Sequence, residues 1–142
     1  MPVERHDTLK VAATRAGFEL GAGELRTMLD AWGVTGGPRY NAELVFEEVV
    51  LNTIRHGYQD QGTGRAIDVS IAGRPDAIVM TFDDDAPAFD PRERRHPVLP
   101  KSLDEAREGG LGLMLVRKLA SDIQYERTSD RHNRLTVTIA AT

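Results

Sequence analysis

Glu48, Asn52 and His56 stand four residues apart, and on a helix that spacing stacks them along one side. Leu44 and Leu51 flank this stripe on one side, Val45 and Val49 on the other. A carboxylate, an amide and an imidazole in the middle of an apolar face are costly to bury alone. Something polar is therefore expected opposite them. A glutamate can take a proton from a hydroxyl or from water. An asparagine oxygen is a suitable hard ligand for Mg2+ when phosphate oxygens complete its shell. A single histidine on such a face is most often a hydrogen-bonded core residue, so His56 is read as structural.

Two further stretches can do chemistry. Asp83, Asp84 and Asp85 end an apolar run. A carboxylate at a strand terminus can accept from an exocyclic amine or bind a metal, although acidic residues also mark plain solvated turns. Gly110 and Gly112 precede the apolar run 113–120. Glycines before a helix let backbone N–H groups approach a phosphate, and the helix N-terminus favours its charge. The turn matches neither a dinucleotide fingerprint nor a P-loop: Leu115 stands where a third small residue would be needed, and no Lys-Ser/Thr pair follows.

These residues need elements to hold them. Residues 8–13 read as a strand that Phe18 and Leu20 extend or bracket, and 24–32 as a helix with Leu25, Met28, Leu29 and Trp32 at helical spacing. Residues 33–38 read as a turn, and Asn41 as the N-cap of the helix carrying Glu48 and Asn52, which Gly57 ends. Residues 66–72 and 77–82 form a hairpin, with Ile67, Val69 and Ile71 alternating in its first strand. Residues 92–109 carry Arg92, Arg94, Arg95, His96, Lys101 and Arg107 and read as a long charged loop. A helix over 113–120 and strands over 122–127 and 135–140 close the chain. This order predicts an α+β class, with helices on one face of a sheet.

With 142 residues, 40% of them hydrophobic and 28% charged, the chain is expected to be one soluble domain over 1–142. A net charge of −4 does not favour direct nucleic-acid binding. The absence of cysteine removes disulfides, thiolate metal sites and cysteine catalysis. No apolar run is long enough for a membrane span, and 1–7 has no signal-peptide core, so the expected location is cytoplasmic.

The order and separation of Asn52, the acidic run and the glycines together resemble the GHKL (Bergerat-fold) ATPases. Within these, the chain is similar to the small RsbW/SpoIIAB-type serine kinases and anti-sigma factors, over roughly residues 8–140. Glu48-Val49-Val50-Leu51-Asn52-Thr53-Ile54-Arg55-His56-Gly57 resembles the N box. Asp84-Asp85-Ala86-Pro87-Ala88-Phe89-Asp90-Pro91 resembles the G1 box, and Gly109-Gly110-Leu111-Gly112-Leu113 the G2 box. Asn133-Arg134-Leu135-Thr136 resembles the closing strand.

The resemblance implies a two-layer α/β sandwich, a mixed sheet covered on one face by about three helices. It implies ATP and Mg2+ as cofactors, Glu48 as general base and Asn52 as the Mg2+ ligand. Asp84 would accept from the adenine amino group, with Asp85 as the alternative one residue on. Ala86, Gly110, Leu111, Gly112 and Thr136 would complete the nucleotide site, under an ATP lid at 92–109. Ala86 departs from the family, which usually has glycine there.

The implied activity is serine/threonine protein kinase in a partner-switching system. The implied partners are a STAS-domain anti-sigma factor antagonist as substrate, a sigma factor or comparable target for sequestration, and a second copy in a homodimer. The alternative is a non-catalytic anti-sigma or partner-binding module with weak or no nucleotide binding. The ATP-binding part of a two-component histidine kinase would need a phosphoacceptor histidine on a helix pair, for which the stretch before Glu48 offers only His6 in a polar segment.

Overall fold

A computed structural model describes residues 4–87 and 111–141, with backbone only for 111–114. Strand β1 (Arg5–Ala12) leads into helices α1 (Arg15–Ala31) and α2 (Gly36–Asn52), and α2 continues into a π-helical turn at Thr53–Gly57. Strands β2 (Ala66–Gly73) and β3 (Ala77–Asp84), helix α3 (Leu111–Leu119), and strands β4 (Asp122–Arg127) and β5 (Asn133–Ala140) follow.

The five strands form one sheet in the order β1-β2-β3-β5-β4. The expected two-layer α+β architecture is present. Among the described residues the sheet is antiparallel at every pairing and not mixed. The cause is the placement of β5. It returns from β4 by a hairpin and inserts beside β3, so β3 and β4 run in the same direction but never pair.

The sheet buries one face through strict alternation. Ile67, Val69 and Ile71 on β2, Ile78, Met80 and Phe82 on β3, and Leu135, Val137 and Ile139 on β5 are all buried. Helix α2 meets them with Ala42, Val45, Phe46, Val49 and Val50, spaced along one helical face. Phe46 joins the layers: its ring centroid lies 6.0 Å from that of Phe18 on α1 and 6.5 Å from that of Phe82 on β3, within the range of favourable aromatic pairs.

Both long helices begin earlier than the sequence suggests. Thr14 caps α1, its Oγ1 accepting from the Gly17 N–H at 3.0 Å. Phe18 and Leu20 are therefore helical. Helix α2 starts at Gly36, which places Pro38 in the first turn, where a missing N–H costs nothing. Asn41 is inside the helix and caps nothing.

Gly17 marks a close approach of α1 to β1. A Cβ there would lie 2.1 Å from the Ala12 carbonyl oxygen. Gly17→Ala is expected to destabilise the fold by about 1–3 kcal/mol, as overpacking does. Urea unfolding measures this, and an unchanged midpoint would mean that α1 can move off β1 at no cost.

Candidate nucleotide site

The acidic run divides by strand phase. Asp84 follows Ile78, Met80 and Phe82 in the inward-facing phase of β3 and is 7% exposed. Asp83 and Asp85 point the other way. Asp83 is bound by His132 Nδ1 and by Arg134, whose Nε donates at 3.1 Å. That carboxylate holds the His132 imidazole above its ordinary pKa. Asp85 accepts from the Tyr58 hydroxyl and from Arg65 Nη1, both at 2.6 Å. These donors hold Asp85 below the usual carboxylate range, the Tyr58 hydroxyl being the larger cause. Asp83 and Asp85 are thus committed to neighbouring side chains.

Among the described residues, Asp84 is committed at one oxygen only. Its Oδ1 accepts from Asn133 Nδ2 at 2.9 Å and from the Ala86 N–H at 3.0 Å. Its Oδ2 accepts from no described residue. Burial pushes its pKa up, against the pull of the Asn133 and Ala86 donors. Asn133 lies directly opposite Asp84 in the β3–β5 register and is 5% exposed. It also donates to the carbonyls of Ala86 at 3.1 Å and Pro87 at 3.2 Å. Its Oδ1 accepts from the Tyr125 hydroxyl and, at 3.2 Å, from Arg127 Nη1.

The helix stripe lies on the layer facing this strand end. Glu48 and Asn52 are half-buried on α2. Neither side chain makes a hydrogen bond or ion pair with a described residue. Burial raises the Glu48 pKa, Glu47 adds to the rise, and Arg55 opposes it. Regular α-helix ends at Asn52. Thr53 turns its Oγ1 onto the Val49 carbonyl at 2.9 Å, and the Tyr58 N–H reaches five residues back to the Thr53 carbonyl. Four residues no longer complete a turn there, so the spacing that placed His56 on the stripe fails beyond Asn52. The π turn ends at Gly57, as expected, and brings the helix end against the strand end. A Cβ on Gly57 would lie 3.1 Å from the Ala86 Cβ.

Ala86 is buried and holds no positive φ. Its methyl packs toward Gly57. Leu111 and Gly112 open α3, whereas Gly110 and the 92–109 lid lie outside the described residues. Thr136 is not brought to the site. It pairs with Thr81 and Gln124, out of phase with inward-facing Asn133 and Leu135. One step along a strand changes the face, and the polar residue of β5 that faces Asp84 is Asn133. Asn133 stands in the closing-strand motif, but with the strand expected to start only at Leu135 it carries no expected role, and Tyr58, Arg65, Tyr125 and Arg127 carry no motif. The available signal was phase: Asn133 continues the alternation of Leu135, Val137 and Ile139.

The residues present fit an adenine nucleotide. A buried carboxylate with one oxygen that no described residue claims suits an amino donor. Among the described residues, no group of three or more His, Asp or Glu is placed to hold a metal. A metal beside Asn52 would take most of its shell from phosphate and water, as Mg2+ commonly does.

The family of histidine kinase-like ATPase domains matches residues 12–139. The chain belongs to this family. The histidine kinase-like ATPase chain is also 31% identical over 130 residues to the serine/threonine-protein kinase BtrW of Bordetella bronchiseptica, covering 92% of this chain and 89% of that one. It is 27% identical over 93 residues to the serine-protein kinase RsbW of Staphylococcus aureus, covering 63% of this chain and 58% of RsbW. A chain in the crystal structure of the SiaB–SiaC complex from Pseudomonas aeruginosa superposes with a TM-score of 0.66 at 18% identity, covering 94% of this chain and 88% of that one. That likeness concerns the fold.

These findings bear out the resemblance to GHKL ATPases of the RsbW type. They also bear out the protein-kinase class, which two named relatives share. ATP is the cofactor that such a domain uses. Among the described residues, no helix is long and apolar enough to cross a membrane.

Proposed function

We propose that the chain is a single-domain serine/threonine protein kinase of a partner-switching system. It phosphorylates a STAS-type anti-sigma factor antagonist, sequesters a sigma factor or comparable target, and acts as a cytoplasmic homodimer. The observation that carries the reading is a set of polar groups that lack described partners on α2 and at the end of β3, elements whose ends approach each other at Gly57 and Ala86. These are the Glu48 and Asn52 side chains and Oδ2 of buried Asp84.

Bound ATP with Mg2+ supplies the transferable phosphoryl group and offsets its charge. Asp84 accepts from the 6-amino group through Oδ2, and the buried Ala86 floors the same corner. Asn52 offers its side-chain oxygen to Mg2+. Glu48 takes the proton of the attacking serine or threonine hydroxyl. Its burial and the neighbouring Glu47 make it a better proton acceptor than a solvated glutamate. At the start of α3, Leu111 and Gly112 present backbone N–H groups to the phosphates, and Gly110, outside the described residues, is assigned the same role.

Ala86 gave the non-catalytic alternative its basis. Its ordinary φ and its methyl turned toward Gly57 favour nucleotide binding.

Incubation with radiolabelled ATP and purified STAS-domain proteins from the same genome tests the proposal. One labelled protein, with the label stable to acid as a phosphoserine or phosphothreonine is, is the expected result. No labelled protein, together with no ATP binding by calorimetry, would favour the non-catalytic module.

A further inference from the structure

We infer that Asn133, held in one orientation by Arg127, is a positioning residue that sets the preference of this site for a 6-amino purine. The inference rests on the nucleotide-binding reading above and concerns how Asp84 is presented to the base.

The argument follows donors and acceptors. A guanidinium has only donors. Arg127 Nη1 lies 3.2 Å from one end of the Asn133 amide, so that end is the oxygen. The Tyr125 hydroxyl donates to the same oxygen. The amide nitrogen must then face Asp84, where it lies 2.9 Å from Oδ1. The Ala86 N–H adds a second donor to that atom at 3.0 Å. With two donors aimed at it, Oδ1 can only accept. Oδ2 is left to meet the base, and while the carboxylate is ionised Oδ2 can only accept too. It matches the 6-amino group of adenine and repels the 6-oxo group of a hypoxanthine base.

Arg127 also ties down the loop after β3, its Nη1 donating to the Ala86 carbonyl at 2.9 Å. The charged groups around Asp84 are Asp83 and Asp85 on its own segment and Arg127 on β4, with the Tyr58 phenol just after the π turn. The two aspartates and burial work against its ionisation, and the Asn133 donor works for it. Loss of that donor favours a neutral carboxyl, which can donate to a 6-oxo group.

ATP and inosine triphosphate differ in their base only around this position, so calorimetric titration with each is the test. Asn133→Ala is expected to reduce the ATP preference about tenfold, the scale of one hydrogen bond to a charged group. The loss should fall on KM for ATP rather than on kcat. The acid limb of ATP binding should move to higher pH. Asn133→Ser, which restores a short donor, should recover part of the preference. Arg127→Met should lower it by a smaller factor, because Asn133 keeps its donor and the Tyr125 hydroxyl but loses the guanidinium that fixes which end of its amide is the oxygen.

An unchanged ATP preference and acid limb in Asn133→Ala, with wild-type protein still preferring ATP, would overturn the positioning role alone. Wild-type protein that binds neither nucleotide would overturn the nucleotide-binding reading with it. If Asn133→Ala fails to fold, Arg127→Met decides: an unaltered ATP preference overturns the inference.

Discussion

Glu48→Gln is expected to slow phosphoryl transfer to a protein hydroxyl by about 10²–10⁴-fold, the usual contribution of a positioned general base, while ATP affinity stays within about twofold. The substitution keeps the size of the side chain, removes its charge and its capacity to accept a proton, and turns one acceptor oxygen into an NH2 donor. Glu48 is half-buried, with no hydrogen bond or ion pair to a described residue. Its loss should therefore leave no stranded partner in the protein. The pH profile adds a second expectation. Only the ionised carboxylate accepts a proton, and burial with Glu47 raises the Glu48 pKa. The wild-type rate should rise as pH passes upward through that raised value, and the Gln variant should lose this limb. Initial rates with labelled ATP, paired with calorimetric titration, measure both quantities. Unchanged phosphotransfer would remove Glu48 from the mechanism.

The placement of several candidate residues was legible because strands and helices keep strict phase. The Ile78, Met80 and Phe82 alternation carries inward to Asp84, so the choice between Asp84 and Asp85 is one of parity. The i, i+4 step places Glu48 and Asn52 together for a similar reason. The same phase separates the polar residues of β5, where Thr136, which the resemblance implied, sits one step off the buried face and Asn133 sits on it.

What stayed hidden depends on tertiary contact. Gly17 and Gly21 both lie inside α1. A Cβ on Gly17 would strike the Ala12 carbonyl, and one on Gly21 would lie 3.0 Å from Val11. They are glycines because the helix lies close against β1, and local propensity penalises a helix for them. The π turn is equally silent in sequence. Its one extra residue per turn places Gly57 against Ala86, a contact between segments far apart in the chain.

Asp84→Asn is expected to weaken ATP binding by about ten- to a hundredfold, the range for losing a hydrogen bond to a charged group. It should also reverse the preference toward inosine triphosphate. The existing donors dictate this result. Asn133 Nδ2 and the Ala86 N–H both require an acceptor at the Oδ1 position. The new amide must therefore place its oxygen there and its NH2 where Oδ2 was. That NH2 faces the adenine amino group donor to donor, and it satisfies a 6-oxo group. Stability should move in the opposite direction to affinity. Burial raises the folded-state pKa of Asp84 above its unfolded value. The ionised form is then the penalised one, and stability falls as pH rises from the ordinary carboxylate range through the raised pKa. The Asn variant has no such dependence, so its Tm at neutral pH should equal or exceed that of the wild type, with a flatter profile on the acid side. Thermal unfolding across pH, alongside titration with both nucleotides, checks the two together. A clear fall in Tm with unchanged ATP affinity would make Asp84 a structural residue. The expected pairing, weaker binding in a protein at least as stable, marks a carboxylate retained at a cost to the fold because a ligand needs it.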